Sequence, residues 1–345
     1  MFPQLIEKLI RHQDLSTEEA GAAMAAIMSG TAAPAHVGAF LVGLAMKGER
    51  PAEIVGLART MRAHAVPLSR RYDAVFDCCG TGGDQSGTFN ISSCVAIVVA
   101  ACGVRVAKHG NRSASSRTGG ADVYEALGIR IAASPPVVER CLAEAGIGFF
   151  FAPTFHPSMR RAAPVRRELG VRTAFNLLGP LTNPAGATRQ LVGVPRPEFT
   201  ELLARSLLLL GSERAWAVHG ADGIDELTTA GYTKISECRD GAVNTFYLHP
   251  ADVGLPKAPP GALGGGDARE NARIVEEVLN GGRGPARDVV LLNAGASLLV
   301  AGAAASVQDG IALAAQAIDR GNAKSSLDRL VSISIVDEST AGATA

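Results

Sequence analysis

The sequence predicts an α/β protein in which a small, discontinuous all-α domain joins a large α/β domain with a mostly parallel central sheet. Three observations predict it. Up to about residue 70 the chain reads as helix after helix with no strand signal; from Tyr72 onward, short apolar runs stopped by glycine alternate with helical runs, the pattern of βαβ units. The stretch Pro157 to Pro184 fits neither pattern. It carries Pro157, Pro164, Pro180 and Pro184 with Arg160, Arg161, Arg166, Arg167 and Arg172, and reads as short helices that leave the sheet and pack back on the N-terminal ones.

The helical elements follow from spacing. Ser16 and Glu19 can form a capping box, after which Ala20, Ala23, Met24 and Ile27 recur at i, i+3, i+4, i+7. Pro34 precedes Val37, Phe40, Leu41 and Leu44 with the same spacing, and Pro51 precedes Ile54, Leu57, Ala58 and Met61. With Pro3 to Arg11 this makes four helices. Candidate strands are Ala74–Cys79, Val104–Ala107, Gly148–Phe151, Gln190–Val194, Arg214–His219 and Val243–Tyr247, with helices at Cys94–Ala101, Val137–Glu144 and Phe199–Leu210 between them. The expected division is 1–70 joined in space by 157–186 as the helical domain, and 71–156 with 187–338 as the α/β domain. A disordered tail is expected at 339–345.

Composition limits the chemistry. Lys and Arg number 33 against 33 Asp and Glu, so no global field draws the chain to nucleic acid or an anionic membrane, and any anion site must be local. The 39 glycines point to tight turns and close backbone approaches. Six cysteines include no C-x-x-C pair and no zinc spacing, which favours a reducing cytoplasm. The start lacks a signal-peptide pattern, and the apolar stretches Val95–Cys102 and Val289–Val307 are too short or too interrupted to span a bilayer.

Three loops, each following a candidate strand, carry the chemistry. In Gly80-Thr81-Gly82-Gly83-Asp84 the backbone can close on a phosphate, and the following helix N-terminus favours negative charge. Gln85 breaks the dinucleotide-binding pattern and no Gly-Lys-Ser/Thr follows; a plain turn ending a buried strand is the alternative. Lys108 to Gly120 brings lysine, arginine, hydroxyls and glycine backbone, the groups that hold a polyphosphate, or else a solvated basic loop. Asp225-Glu226 suits Mg²⁺, which takes a few carboxylates plus substrate oxygens and water, or else is an acidic turn. Strand C-terminal ends are where open α/β sheets bind ligands. His12, His36, His64, His219 and His249 are scattered without ligand spacing, and only His109 and His156 stand out by their neighbours.

These loops, with Asn90-Ile91-Ser92-Ser93, Phe151-Ala152-Pro153, His156-Pro157, Phe175 to Pro184 and Gly265-Gly266-Asp267-Ala268, resemble the anthranilate phosphoribosyltransferase family in order along nearly the whole chain. The resemblance implies the nucleoside phosphorylase type of fold, a homodimer formed through the helical parts, and transfer of the phosphoribosyl group from 5-phosphoribosyl pyrophosphate (PRPP) to anthranilate in tryptophan biosynthesis. It implies that Gly80, Gly83, Asp84, Thr88, Asn90, Ile91, Ser92, Ser93, Lys108, His109, Gly110, Asn111, Arg112, Ser113, Ala114, Ser115 and Ser116 hold PRPP. Lys108 and Asp84 would act electrostatically, and no acid–base pair is expected. Ser92 with Glu226 would bind one Mg²⁺ and Asp225 with Glu226 a second. Gly80, Asn111, His156, Arg166 and Pro180 would line the anthranilate channel, Arg166 facing its carboxylate. Where the family usually has Ser, this chain has Gly120; that hydroxyl is missing, and a backbone N–H could replace it. A pyrimidine nucleoside phosphorylase would share the fold, but Asn111-Arg112 and Leu178 to Asn183 look like the anthranilate side. A non-catalytic nucleic-acid-binding relative would be expected to lose the carboxylates or gain a basic face.

Overall fold

The computed structural model describes residues 1–113 and 117–336; the expected tail at 339–345 lies outside the described residues. Helices α1 (Phe2–Ile10), α2 (Thr17–Ser29), α3 (Pro34–Lys47) and α4 (Pro51–Ala63) come first. The predicted capping box closes α2, and Pro34 and Pro51 open α3 and α4. The α/β part begins with β1 (Phe76–Gly80), α5 (Ile91–Ala101), β2 (Val106–Gly110), α6 (Gly120–Ala126), α7 (Pro135–Glu144) and β3 (Ile147–Phe151). Three short helices follow, α8 (Ala152–Phe155), α9 (Ala163–Leu169) and α10 (Phe175–Leu178), with single 3-10 turns at Pro157–Arg161 and Pro180–Thr182. Then come β4 (Arg189–Gly193), α11 (Phe199–Leu209), β5 (Arg214–Gly220), β6 (Thr233–Arg239), β7 (Ala242–Leu248), α12 (Ala268–Leu279), α13 (Pro285–Ala301), α14 (Val307–Asp319) and α15 (Asn322–Ser334).

The seven strands form one sheet in the order β3-β2-β1-β4-β5-β6-β7, parallel from β3 to β5 and antiparallel across β5-β6-β7. Strand β6 is the element that the sequence pattern hides. Its Lys234, Glu237 and Arg239 dilute the apolar signal, but Asp240-Gly241 after it is a two-residue hairpin turn, with φ of 51° and 79°, and such a dipeptide predicts a hairpin. Chain order reverses between β1 and β4, so a crevice opens outside their carboxyl ends, where open α/β sheets bind ligands.

Alternation along the strands divides the apolar core in two. Leu191, Trp216 and Val218 face a cluster built with α5, α7 and α13, whereas Val192, Ala215 and Ala217 face α11 and the N-terminal helices. Ala162, Val165, Phe175, Leu177, Leu178 and Leu181 join that second cluster, so the stretch after β3 does pack against the N-terminal bundle.

Helices α2 and α4 approach closely at Gly56. A β-carbon there would lie 2.2 Å from the Thr17 carbonyl oxygen and 3.0 Å from Ala20 Cβ. Gly56→Ala is therefore expected to destabilise the protein by about 1–3 kcal/mol through overpacking, although alanine is the better helix former by ~1 kcal/mol. Urea unfolding measures this; equal or higher stability would show that the two helices separate freely.

Candidate active site

The site is organised by two adjacent carboxylates that reach different loops. Asp225 Oδ2 accepts from the Gly82 N–H at 2.9 Å, and Glu226 Oε1 accepts from the Ser92 N–H at 3.1 Å. The first bond fixes the glycine loop after β1 and the second caps the first turn of α5, whose own N-cap Asn90 makes no capping bond. Gly80 and Gly193, paired across β1 and β4, are glycines because Asp225 passes over them. A β-carbon on Gly80 would sit 2.1 Å from Asp225 Oδ2, and one on Gly193 would sit 1.5 Å from the Asp225 carbonyl oxygen. Burial and the neighbouring Asp84 raise the Asp225 pKa, while burial and Asp225 push Glu226 up to about 8. Desolvation and like charge both disfavour ionised carboxylates here, and a cation bound beside the pair would offset both.

Lys108 is the buried cation on the other side, 4 % exposed. Its Nζ donates to the Cys78 carbonyl at 2.7 Å and to Ser92 Oγ at 3.3 Å. Asn90 donates to the Thr118 carbonyl at 3.3 Å and accepts from Asn271 Nδ2 at 2.9 Å, and Asn271 Oδ1 accepts from the Gly266 N–H at 2.7 Å. Thr88 bridges to Gly264. The Gly265-Gly266 segment thus braces the glycine loop and the α5 entry from outside. Ile91 is buried as the first residue of α5, and the loop's Asp84 accepts from Ser86 Oγ. Two buried hydroxyls nearby, Thr81 Oγ1 and Ser93 Oγ, have no hydrogen-bond partner among the described residues. A β-carbon on Gly120 would lie 3.3 Å from Ser93 Oγ, so the absent serine hydroxyl falls beside one of these orphaned groups.

Other residues singled out by sequence are placed less directly. Gly110 ends β2. Asn111 Oδ1 accepts from the Arg112 N–H at 2.8 Å, and the Arg112 guanidinium pairs with Asp122 at 2.6 Å and Glu125 at 2.9 Å rather than facing the crevice unpaired. The Ser113 N–H donates to Asp122 at 3.4 Å. Ala114, Ser115 and Ser116 lie outside the described residues.

A third group joins the sheet to the short helices. The rings of His109 and His156 lie 5.3 Å apart, and His109 Nδ1 is 2.9 Å from the Gly179 carbonyl, beside Pro180. Both are buried. Desolvation together with His156 pushes His109 down to about 3, and desolvation pushes His156 down to about 4, so both are neutral near pH 7. Asp77, which sequence reasoning passed over, is fully buried and accepts from the His109 N–H at 3.2 Å and from Asn183 Nδ2 at 2.8 Å. Asn183 also donates to the Ala107 carbonyl at 2.8 Å. Its place at the end of the quoted Phe175 to Pro184 segment was the available signal. Arg166 lies with its guanidinium 5.1 Å from the Phe175 ring centroid, and desolvation lowers its pKa.

The oxygen donors fit Mg²⁺. Among the described residues no three His, Cys, Asp or Glu side chains gather to hold a metal by themselves, but Mg²⁺ is ordinarily held by one or two carboxylates, with water and substrate oxygens completing its shell. Asp225, Glu226 and the Ser92 hydroxyl offer hard oxygen donors of that kind.

The fold and crevice define a pentosyl-transfer type of enzyme: residues 72–324 match the glycosyl transferase family, a/b domain, and residues 3–65 match its helical bundle domain. More narrowly, the chain belongs to the anthranilate phosphoribosyltransferase family. It is 54% identical over 331 residues to the anthranilate phosphoribosyltransferase of Moorella thermoacetica, covering 96% of this chain and 98% of the relative. It is 51% identical over 333 residues to that of Rhodopseudomonas palustris, with the same coverages. The crystal structure of the Thermus thermophilus enzyme superposes with a TM-score of 0.91 at 45% identity, covering 96% of this chain and 99% of the other. The Saccharomyces cerevisiae enzyme in complex with PRPP and Mg superposes with a TM-score of 0.88 at 27% identity, covering 96% and 97%.

The buried histidines predict an acid-sensitive fold. Folding depresses their pKa values, so their contribution is present above the unfolded value of about 6.5 and is lost as pH falls toward 4. Each should contribute a loss of roughly 2 kcal/mol between pH 7 and pH 5. His156→Asn should narrow the difference in unfolding free energy between those pH values; an unchanged difference would mean that His156 is not held neutral.

Proposed function

We infer that the chain is an anthranilate phosphoribosyltransferase: it transfers the 5-phosphoribosyl group of PRPP to the amine of anthranilate, releasing pyrophosphate, as a step of tryptophan biosynthesis. The observation that carries the reading is the carboxylate pair Asp225-Glu226 bonded at once to the glycine loop and to the α5 N-terminus. Such an arrangement supports the reading, because carboxylates able to hold Mg²⁺ would then border two backbone segments able to hold phosphate.

In the reaction the amine nitrogen forms a bond to C1 of ribose while the C1–O bond breaks. Pyrophosphate leaves with the electron pair, and the amine proton is released afterwards. The chief demands are to stabilise the leaving charge and to aim the nucleophile. Gly83, the loop amides, Asp84 and Thr88 would hold the pyrophosphate arm, with Asn90, Ile91, Ser92 and Ser93 at the α5 entry. Lys108 would face the negative charge from within the sheet, and the segment from His109 to Ser116, with the Gly120 backbone, would take the remaining phosphoribosyl oxygens. Ser92, Asp225 and Glu226 would hold two Mg²⁺ ions, which when bound neutralise the charge developing on the leaving group. Gly80, Asn111, His156, Arg166 and Pro180 would line the anthranilate side. A neutral His156 suits an uncharged aromatic ring, and Arg166 suits the carboxylate. The aniline-type amine is unprotonated at pH 7, so no strong base is required.

The reading also includes 1–70 with 157–186 acting as one helical unit, a homodimer through the helices, and a cytoplasmic location. Ile10 on α1 and Met46 on α3, 72% and 77% exposed, support the homodimer reading as apolar side chains that a second copy would cover. Among the described residues no helix is long and apolar enough to cross a membrane.

Purified protein with anthranilate, PRPP and Mg²⁺ should consume anthranilate, followed by loss of its fluorescence; absence of turnover would overturn the assignment. Arg166→Ala should raise the anthranilate KM about tenfold or more with little change in the PRPP KM. An unchanged anthranilate KM would place the carboxylate elsewhere.

A further inference from the structure

One arginine of the returning segment bears on the glycine loop without a role in the site just described. Gly170, at φ 62°, ends α9, and a turn at Thr173 starts α10: the Thr173 N–H donates to Asn176 Oδ1 at 2.9 Å, and the Asn176 N–H returns to the Thr173 carbonyl at 2.9 Å. Thr173 and Ala174 are buried, so the backbone that follows Arg172 is fixed while Arg172 itself stays exposed. Its guanidinium lies against Gly83. A β-carbon on Gly83 would be 1.5 Å from Arg172 Nη1 and 2.6 Å from Cζ, so a side chain at position 83 would displace the guanidinium from the loop, and its φ of 80° disfavours one in any case.

The charges around this guanidinium are Asp225 and Asp84, which attract it, and Arg196, which repels it. Among the described residues it makes no ion pair with either carboxylate and no hydrogen bond, so its N–H donors are uncommitted. The neighbouring loop carries left-handed backbone at Gly82, Gly83 and Gln85, and backbone amides in turns of this kind can face an anion. A planar, permanently charged fork beside such amides matches the bidentate geometry of a phosphate.

We propose that Arg172 is a ligand for the pyrophosphate arm of the phosphoribosyl donor, delivered to the glycine loop from the helical side. This rests on the functional reading above. It divides the two arginines of the segment: Arg166 serves the acceptor, Arg172 the leaving group. Because pyrophosphate is also the product, Arg172 contributes to donor affinity and to product retention alike.

The test is calorimetric titration of pyrophosphate, in Mg²⁺ buffer, into the full-length wild type and the Arg172→Ala and Arg172→Lys variants, alongside steady-state kinetics and melting temperatures. Arg172→Ala should weaken pyrophosphate binding about tenfold or more and raise the PRPP KM in parallel. Arg172→Lys, which keeps the charge but loses the fork, should fall between. The anthranilate KM and the melting temperature should stay within error of wild type. Pyrophosphate affinity within twofold of wild type in Arg172→Ala overturns the proposal. So does a loss shared equally by both substrates or accompanied by a lowered melting temperature, which would mark a structural role. Should the wild type bind pyrophosphate in an Arg172-dependent way yet fail to convert anthranilate, the functional reading falls and the pyrophosphate site stands; a wild type that does not bind pyrophosphate overturns both.

Discussion

The structure around the crevice depends on one constraint, that two neighbouring carboxylates reach different backbone segments at the end of the sheet. Asp225 is bonded to the glycine loop and Glu226 to α5, so a single dipeptide ties together the two segments proposed to hold the phosphoribosyl donor. The dipeptide in turn is held from behind. Asn293, wholly buried in α13, accepts from the Leu227 N–H at 3.0 Å and donates to the Leu227 carbonyl at 2.8 Å, and Thr228 Oγ1 donates to Asp222 at 2.8 Å. A buried amide making complementary bonds to one backbone unit fixes orientation more strictly than apolar packing can. The bare Cα atoms of Gly80 and Gly193 then let the carboxylate come down onto the strand ends.

That constraint explains why the glycine loop has the composition it has. As a sequence motif, Gly80-Thr81-Gly82-Gly83-Asp84 reads as space cleared for phosphate, and structurally the space is shared. Gly80 makes room for Asp225 and Gly83 for Arg172, and Gly82 supplies the amide that Asp225 grips. The loop is bordered by charge of both signs. In the proposed donor site a ligand carrying its own cations would be favoured over a bare anion, because a bare anion would meet Asp84, Asp225 and Glu226 as well as Lys108 and Arg172.

Most of the architecture was legible because it rests on local periodicity. The amphipathic spacing of α2, α3 and α4, the proline starts and the apolar runs of the parallel strands depend on near neighbours, and the glycine-terminated runs also located the strand ends where the chemistry sits. Strand β6 was not legible from hydropathy, since Ser236 and Cys238 occupy buried positions through contacts that form only in the fold; Ser236 Oγ bonds Thr200 Oγ1 at 3.0 Å. Asp77 and Asn271 were hidden for the same reason. Their roles consist of hydrogen bonds to residues 106 and 181 positions away, and no spacing rule reports a contact of that range. Arg172 was visible only as one of five arginines in a proline-rich stretch, and charge alone does not say which of five faces a ligand.

The buried seam between the returning segment and the sheet determines what those arginines can do. Asn183 bonds both Asp77 on β1 and the Ala107 carbonyl on β2, and the Gly179 carbonyl meets His109, so the segment that carries Arg166 and Arg172 ends on the two strands that lead into the candidate phosphate loops. Breaking any one of these contacts would leave a polar group unpaired in the interior, at about 1–3 kcal/mol each. The proposed acceptor side is therefore referenced to the proposed donor side through polar contacts that lack a good alternative arrangement. For a transfer that depends on aiming a weak nucleophile at C1, that reference matters more than any single catalytic group, because a displacement of about 1 Å is enough to cost a hundredfold in rate.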